Sequence, residues 1–537
     1  MRDAYQVAKV RVAEAALMRL VPDGALMQRA AAGLASVCVT VLRAKPGGVY
    51  GSRVVVLAGT GDNGGDALYA AALLAGRGAA VTAIQAGPRI HPGGAAALRA
   101  AGGWLTAVAA PRAVDDTRPD LADGYDAGRE IQQAIGHADV IIDGMLGIGG
   151  KGGLRDPYAT LAQLAANAAG TTVAVDLPSG IDADTGAVDG PAVRADITVT
   201  FGTVKPGLLI DPGARHAGVV ELVDIGLEPH LLEPPDASAP QRGDISAMIP
   251  RPGPESDKYR RGVLGLLAGS DRFTGAALLS TGGAVHGGAG MVRLVTAPAA
   301  AAAVRQVWPE VVITELGRES PDRSEENKGS SPAGEFPDNV GRVQAWVAGP
   351  GMGVTQEAER RLAAVLGTSL PVLVDADGLS LLARRRDLLP RPAPTLLTPH
   401  AGELARLLDA DPADVEARRL EHARRAATAV GACVLLKGST TVIAPPDGTD
   451  PVLVNTTGTS WLATAGSGDV LSGLAGALLA QGLLPPEAAI AAAYLHGIAG
   501  RLAAADAGAA SAAGAGGEAP IGASDVVRAL PMAFRTL

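Results

Sequence analysis

Residues 464–473 (TAGSGDVLSG) set one acid, Asp469, among small residues at the mouth of an apolar segment, 470–484. Small side chains let backbone N–H groups turn toward an anion, and a helix starting there adds its positive end. An acid in that position can take a proton from a hydroxyl while the N–H groups hold a phosphate. The same string also reads as an ordinary turn and helix cap. Other polar groups end apolar, strand-like runs in this half of the chain. Lys437-Gly438-Ser439-Thr440-Thr441 offers an ammonium and hydroxyls to nucleotide phosphates. His400 can meet a diphosphate or a ring, or serve as a structural histidine. Asp375 and Asp377 can position magnesium through water, or close turns.

The first half has its own set. Asn63, Asp143 and Ser179 each follow a different strand-like run. Their oxygens can hold a hard cation, and a single carboxylate among them favours a monovalent ion such as potassium. Asp and Asn also fill turns. Asp176 ends an apolar run and enters a Gly/Pro loop, where a carboxylate in a cleft can act as a general acid or base; an N-cap is the alternative. The loop Gly147-Ile148-Gly149-Gly150-Lys151-Gly152-Gly153 can wrap a pyrophosphate with backbone N–H groups and the Lys151 ammonium, or form a flexible hairpin.

These residues need a scaffold that collects strand ends. Residues 4–44 repeat apolar positions at helical spacing, broken at 21–24. Residues 52–58 (SRVVVLA) suit a buried parallel strand. Gly59-Thr-Gly-Asp62-Asn63-Gly64-Gly65-Asp66 follows, then the helix-prone 67–78. Strand, glycine-rich loop and helix in that order bring a phosphate to a helix N-terminus. Further strands are expected at 81–85, 140–143, 172–176 and 197–201. The second half repeats the theme at 263–268, 291–295, 345–348, 371–375, 396–399 and 433–437, with a helix at 276–286. Alternating strands and helices predict α/β domains with helices on both faces of a parallel sheet, and ligands at the carboxyl ends of the strands. The domains are expected at 1–228 and 242–537, joined by a Pro- and acid-rich linker at 229–241. A charged surface insertion is expected near 112–130, a disordered stretch at 317–340 and a mobile Ala/Gly-rich loop at 503–519.

A chain of 537 residues exceeds one core, so two or more domains are required. Aromatics are only 3%, so Ala, Val and Leu must fill the interiors. A net charge of −9 argues against a nucleic-acid surface. Cys38 and Cys433 lie far apart in apolar runs, as buried thiols of a reducing compartment would. Arg2, Asp3, Lys9, Arg11 and Glu14 interrupt any signal-peptide pattern. No uncharged run clearly reaches the ~18–20 apolar residues of a membrane span. A cytoplasmic protein with no membrane partner is expected.

Two resemblances are specific. The first half resembles the NAD(P)H-hydrate epimerase (YjeF N-terminal) family. It does so through Val12-Ala-Glu14, Leu26-Met27, residues 59–66, Asp143-Gly-Met-Leu-Gly-Ile-Gly149, residues 175–182 (VDLPSGID) and 200–207 (TFGTVKPG). The second half resembles the NAD(P)H-hydrate dehydratase family, a branch of the ribokinase-like fold. Its carriers are Gly275-Ala276, Gly349-Pro-Gly351-Met-Gly353, Asp375-Ala-Asp377-Gly378, residues 398–403 (TPHAGE), Lys437-Gly438, residues 455–458 (NTTG) and Gly466-Ser-Gly468-Asp469. The fusion resembles the bifunctional NAD(P)H-hydrate repair enzymes. The family pattern Asn-Asn-Gly-Gly-Asp-Gly appears here with Asp62 and Ala67 at its first and last positions, and Asp62 brings an extra negative charge beside a pyrophosphate.

The resemblance implies a Rossmann-like three-layer αβα domain followed by a ribokinase-like αβα domain. It implies that Asp62, Asn63, Gly64, Gly65, Asp66, residues 147–153 and Asp176 bind the hydrated dinucleotide, NADHX or NADPHX. Asn63, Asp143 and Ser179 would hold potassium. Ala276, Gly351, His400 and Asp469 would bind hydrate in the second domain, and Lys437–Thr441 with Gly468 would bind ADP or ATP with magnesium. The first domain would interconvert R and S hydrates with Asp176 as acid/base. The second would phosphorylate the S hydroxyl, Asp469 taking its proton, and eliminate phosphate to restore NAD(P)H. A homo-oligomer is expected. The rival reading is a ribokinase-like small-molecule kinase carrying a non-catalytic dinucleotide-binding module.

Overall fold

The computed structural model describes residues 1–108, 122–317, 336–448, 450–509 and 517–537. Most of the polar stretch 317–340 and part of the charged insertion 112–130 lie outside the described residues. So does the middle of 503–519, whose first residues belong to the helix Pro485–Ala509.

The chain forms two compact units, Asp3–Asp236 and Ala237–Leu537 with Met1–Arg2. The expected linker 229–241 is corrected by this division. Ala237–Ala239 is a fully buried strand that pairs in parallel with Val452 and Leu453. Small apolar side chains let it enter the sheet, whatever the prolines before it suggest.

In the N-terminal unit seven parallel strands lie in the order Trp104–Ala107, Ala80–Gln85, Arg53–Ala58, Val140–Gly144, Thr171–Val175, Ile197–Phe201 and Val219–Val223. Alternate residues of one strand face opposite layers. Val54 and Val56 pack with Leu34, Cys38, Leu68 and Ala71 of the helices Ala25–Arg43 and Asp62–Ala75. Val55 and Leu57 pack with Ile131, Ile135, Leu161 and Ala165 on the other face. That is the expected three-layer arrangement. The sequence reading missed both edge strands. They are short, none of their residues is buried, and Trp104 and Val219 are well exposed, so no long buried apolar run marks them. The strand order reverses between Arg53–Ala58 and Val140–Gly144. In open α/β sheets the crevice at such a switch point takes the ligand.

The C-terminal unit is built on an eleven-stranded sheet. Its parallel part runs Cys433–Leu436, Thr395–Leu397, Val372–Val374, Ala345–Ala348, Val263–Leu267, Met291–Thr296, Val312–Glu315. Thr441–Ala444 and Val452–Asn455 extend it antiparallel. The switch point here falls between Val263–Leu267 and Ala345–Ala348. The helices Thr274–His286 and Ser467–Ala480 cross at backbone contact. A Cβ at Gly283 would lie 2.2 Å from the Val470 carbonyl oxygen, and one at Gly473 would lie 1.9 Å from that of Ser280. Glycine at both positions lets Ser467–Ala480 sink into the core, and this fixes where Asp469 stands.

Two helices, Ala25–Arg43 and Pro485–Ala505, are long and apolar enough to cross a membrane by length and composition, though each carries charged residues. The second is 72% buried inside its unit, and the first contributes Leu34, Cys38 and Leu42 to a core.

Candidate active sites

The N-terminal crevice is a cleft of about 810 Å³. Asp62, Asn63, Asp66, Gly147, Ile148, Gly149, Gly150 and Asp176 all line it. The expected loop before the second helix is shorter than the sequence suggested, because the helix starts at Asp62. Gly64 and Gly65 are buried in its first turns, where a Cβ at Gly64 would meet the Gly59 carbonyl oxygen at 2.4 Å. Lys151, Gly152 and Gly153 are not part of the cleft lining. Gly153 packs instead on the Gly190 backbone, and Lys151 is exposed. Of the loop 147–153 expected to wrap a pyrophosphate, only 147–150 line the cleft, because the chain turns away after Gly150.

Asp176 is 8% exposed and holds a left-handed backbone, φ +65°, at the end of its strand. Such strain in a non-glycine residue persists only when its surroundings impose it. Here Asp176 Oδ1 accepts hydrogen bonds from Lys205 Nζ at 2.5 Å, Thr200 Oγ1 at 3.0 Å and the Phe201 N–H at 3.3 Å. Lys205 is 1% exposed and also donates to Thr200 Oγ1 at 3.0 Å. The sequence reading missed this lysine as part of the site. Its signal was a lone cation directly after an apolar strand. Two further acids share the cleft. Burial, with Asp176, Asp62 and Glu14 nearby, pushes the Asp66 carboxyl up to about 8. Its Oδ1 is buried with no hydrogen-bond partner among the described residues. Burial likewise raises Glu14. A protonated acid and a lysine-bound carboxylate facing one cleft suit proton transfer to and from a hydroxyl.

Asn63 and Ser179 converge on the Leu146 carbonyl, and Asp143 joins them through Ser179. Ser179 Oγ donates to Asp143 Oδ1 at 2.7 Å, and the Ser179 N–H donates to Oδ2 at 2.8 Å. Ser179 Oγ lies 3.2 Å from the Leu146 oxygen, which also accepts from Asn63 Nδ2 at 3.1 Å. Burial raises Asp143 to about 6, against hydrogen bonds from Ser179 and Met145 that lower it.

In the C-terminal unit four strand ends and one helix start meet. Lys437 Nζ lies 2.7 Å from Asp375 Oδ1 and 3.8 Å from Glu403 Oε2. Burial alone would lower the Lys437 ammonium; Asp375 and Glu403 reverse that and raise it. Ser472 Oγ donates to Asp375 Oδ2 at 2.6 Å, so both oxygens of this buried acid are engaged. Asp469 stands in the first turn of Ser467–Ala480. Burial and the neighbouring Asp375 push it up to about 7, with Lys437 opposing. Lys437 Nζ would lie 3.4 Å from a Cβ at Gly468, an ordinary contact distance, so the ammonium stands directly beside the helix mouth. Ala276 and Gly351 meet at the switch point, where a Cβ at Gly351 would sit 2.7 Å from that of Ala276.

Two expectations change in detail. His400 caps the helix Ala401–Leu408: its Nδ1 accepts from the Gly402 N–H at 3.0 Å, and its own N–H donates to Glu403 Oε2 at 2.8 Å. The structural role is thus real, and it leaves the ring 56% exposed for a ligand. Residues 437–441 form a turn between antiparallel strands, Thr441 already pairing with Asn455. Arg419, 1% exposed, braces that turn by donating to the carbonyls of Lys437 at 2.7 Å, Leu436 at 3.3 Å and Thr440 at 3.3 Å. Nothing in the sequence marked it among the arginines of its helix.

Comparison with known proteins agrees with this geometry. The family described as YjeF-related protein N-terminus matches residues 23–207, and the NAD(P)H-hydrate dehydratase family matches 264–516. The bifunctional NAD(P)H-hydrate repair enzyme Nnr of Mycobacterium leprae is 45% identical over 539 residues, covering 100% of both chains. The chain belongs to the bifunctional NAD(P)H-hydrate repair enzymes. The Mycobacterium tuberculosis (strain ATCC 25618 / H37Rv) enzyme of that name is 46% identical over 491 residues, 91% of each chain. Among solved structures, the ADP/ATP-dependent NAD(P)H-hydrate dehydratase of Bacillus subtilis is 27% identical and covers 55% of this chain and 97% of its own, with a TM-score of 0.44. Each half of the repair enzyme falls within one compact unit. The repair-enzyme motif also carries its departure at Ala67 without strain. Ala67 is fully buried, and its methyl fills space opposite Gly144.

Proposed function

We propose that the N-terminal cleft epimerises NAD(P)H hydrate at C6 and that the Asp469 centre dehydrates the S epimer, using ADP or ATP. The observation that carries the second half is the buried acid Asp469 at a helix start, beside the Lys437–Asp375 pair. Asp469 takes the proton of the C6 hydroxyl as the hydroxyl oxygen attacks the terminal phosphorus of the nucleotide, whose bond to the bridging oxygen breaks to release AMP from ADP or ADP from ATP. Backbone N–H groups at 466–469 receive the charge on the transferring phosphoryl. Phosphate then leaves C6 as a proton leaves C5, which restores the C5–C6 double bond. Hydroxide is a poor leaving group and phosphate a good one. Lys437 holds Asp375 in place and balances the acids around the phosphoryl site, and its remaining N–H groups reach the nucleotide phosphates. Ser439, Thr440 and Thr441 with Gly438 and Gly468 border the nucleotide. Ala276, Gly351 and the free edge of His400 border the hydrate.

In the first half Asp176, held by Lys205, is the acid/base group. Asp143, Ser179 and the Leu146 carbonyl offer oxygens with one carboxylate, which suits potassium, while Asn63 turns its amide nitrogen to the Leu146 carbonyl and would present its oxygen to the ion on a flip of the amide. The ion would neutralise Asp143 and brace the strand ends under the cleft. Magnesium fits the second site less directly. Asp375 is saturated by Lys437 and Ser472, which leaves Asp377 and Asp469 to hold the ion through water, with the nucleotide phosphates as its main ligands. Bound there, the ion would neutralise phosphate charge. The protein works in the cytoplasm as a homo-oligomer.

The test follows recovery of the reduced-nicotinamide absorbance from purified S-hydrate with ADP or ATP. The wild-type chain restores it, and Asp469→Asn lowers the rate by about 10³-fold or more. Near-normal turnover by Asp469→Asn would remove the proposed base.

A further inference from the structure

The helix Val7–Met18 buries Val7, Val10, Ala13 and Leu17. A second stripe, Arg11, Glu14 and Met18, lies at i, i+3 and i+7 and lines the N-terminal cleft. Arg11 is exposed and makes no hydrogen bond or ion pair among the described residues. Its Nη2 would lie 3.4 Å from a Cβ built at Gly149, so the guanidinium stands over the glycine loop. Among the described lining residues Arg11 is the only lysine or arginine, against five acids, Glu14, Asp23, Asp62, Asp66 and Asp176. Lys151, the cation expected for a pyrophosphate, is not in this lining. The stripe therefore divides the cleft. Glu14 faces the Asp176–Lys205 pair, whose charges act on its carboxyl, while Arg11 faces the loop of backbone N–H groups.

A planar guanidinium above a glycine-rich backbone loop is donor chemistry for a phosphate oxygen. A dinucleotide carries at least two phosphate charges, and they cannot settle among five acids without a cation. We propose that Arg11 is the phosphate anchor of this cleft and sets the direction of the bound dinucleotide, phosphate toward Gly147–Gly150 and hydrated ring toward Asp176. The proposal rests on reading the cleft as the epimerase site. The phosphate is either the pyrophosphate that NADHX and NADPHX share or the 2′-phosphate of NADPHX alone.

Full-length Arg11→Ala and Arg11→Lys are assayed without nucleotide, following the R/S ratio chromatographically from R-NADHX and from R-NADPHX. Arg11→Ala is expected to raise KM about tenfold and to lower kcat far less, with Arg11→Lys between it and wild type. Added salt should raise KM of the wild type more than that of Arg11→Ala. An equal loss on both substrates assigns the pyrophosphate; a loss on NADPHX alone assigns the 2′-phosphate. A KM within about twofold of wild type on both substrates overturns the proposal. Asp176→Asn is run in parallel. If it still epimerises at the wild-type rate, the reading of the cleft falls; if it is inactive while Arg11→Ala is normal, only the role of Arg11 falls. ADP-dependent dehydration of S-hydrate by each variant reports that the chain is folded.

Discussion

Asp469 must be ionised to accept a proton, and its surroundings decide when that happens. Burial and Asp375 hold the proton on, raising the carboxyl to about 7, while Lys437 works the other way. Dehydration of S-hydrate is therefore expected to rise with pH through a midpoint near 7 and then level off. Lys437→Met removes the opposing cation and should move that midpoint to higher pH. Initial rates between about pH 5.5 and about pH 8.5 check both signs, and an unshifted midpoint in the variant would separate Lys437 from Asp469. At this scale the sequence offered the right residue types. It could not offer their partners, because Lys437 and Asp375 are far apart in the chain and meet only where their strands end, on either side of Thr395–Leu397. A lysine in a glycine turn reads as a phosphate ligand, and the acid beside it shows only in three dimensions.

The elements that carry the sites depend on close backbone approach. In the first unit the strand Val140–Gly144 ends on the helix Asp62–Ala75, and Gly144 faces Ala67 there. A Cβ at Gly144 would stand 2.5 Å from that of Ala67 and 3.1 Å from the Asn63 carbonyl oxygen. Gly144→Ala should cost about 1–3 kcal/mol through overpacking and lower the thermal midpoint. Adding Ala67→Gly should restore most of that loss, since the two methyls compete for one space. Calorimetry on the single and double variants decides it; equal destabilisation in both would mean that Ala67 is not the obstacle. Central strands were legible in the sequence because burial on both faces demands continuous apolar runs. Edge strands were not, because one side of each meets solvent. The helix starting at Asp62 was read as loop because glycine and acids at a first turn resemble a turn.

Across the whole molecule, two units each carry one centre, and the product of the first is the substrate of the second. The activities should separate. Asp176→Asn should leave R-hydrate at its spontaneous rate of conversion yet still dehydrate S-hydrate with ADP. Asp469→Asn should do the reverse. Mixing the two variants should restore repair of R-hydrate, because the intermediate epimer diffuses between molecules. Failure of the mixture would show that one centre needs the other intact in the same chain. By itself the sequence determined the fold class and the two families joined in the chain, because apolar periodicity and glycine-rich strand ends are local patterns. Only the tertiary structure decided which charges meet. The pairing of Asp176 with Lys205, the brace of Arg419 on the 437–440 turn and the unpaired Arg11 over the glycine loop join residues from separate elements. Coulombic and hydrogen-bond energies depend on distance through space, which the order of residues does not contain.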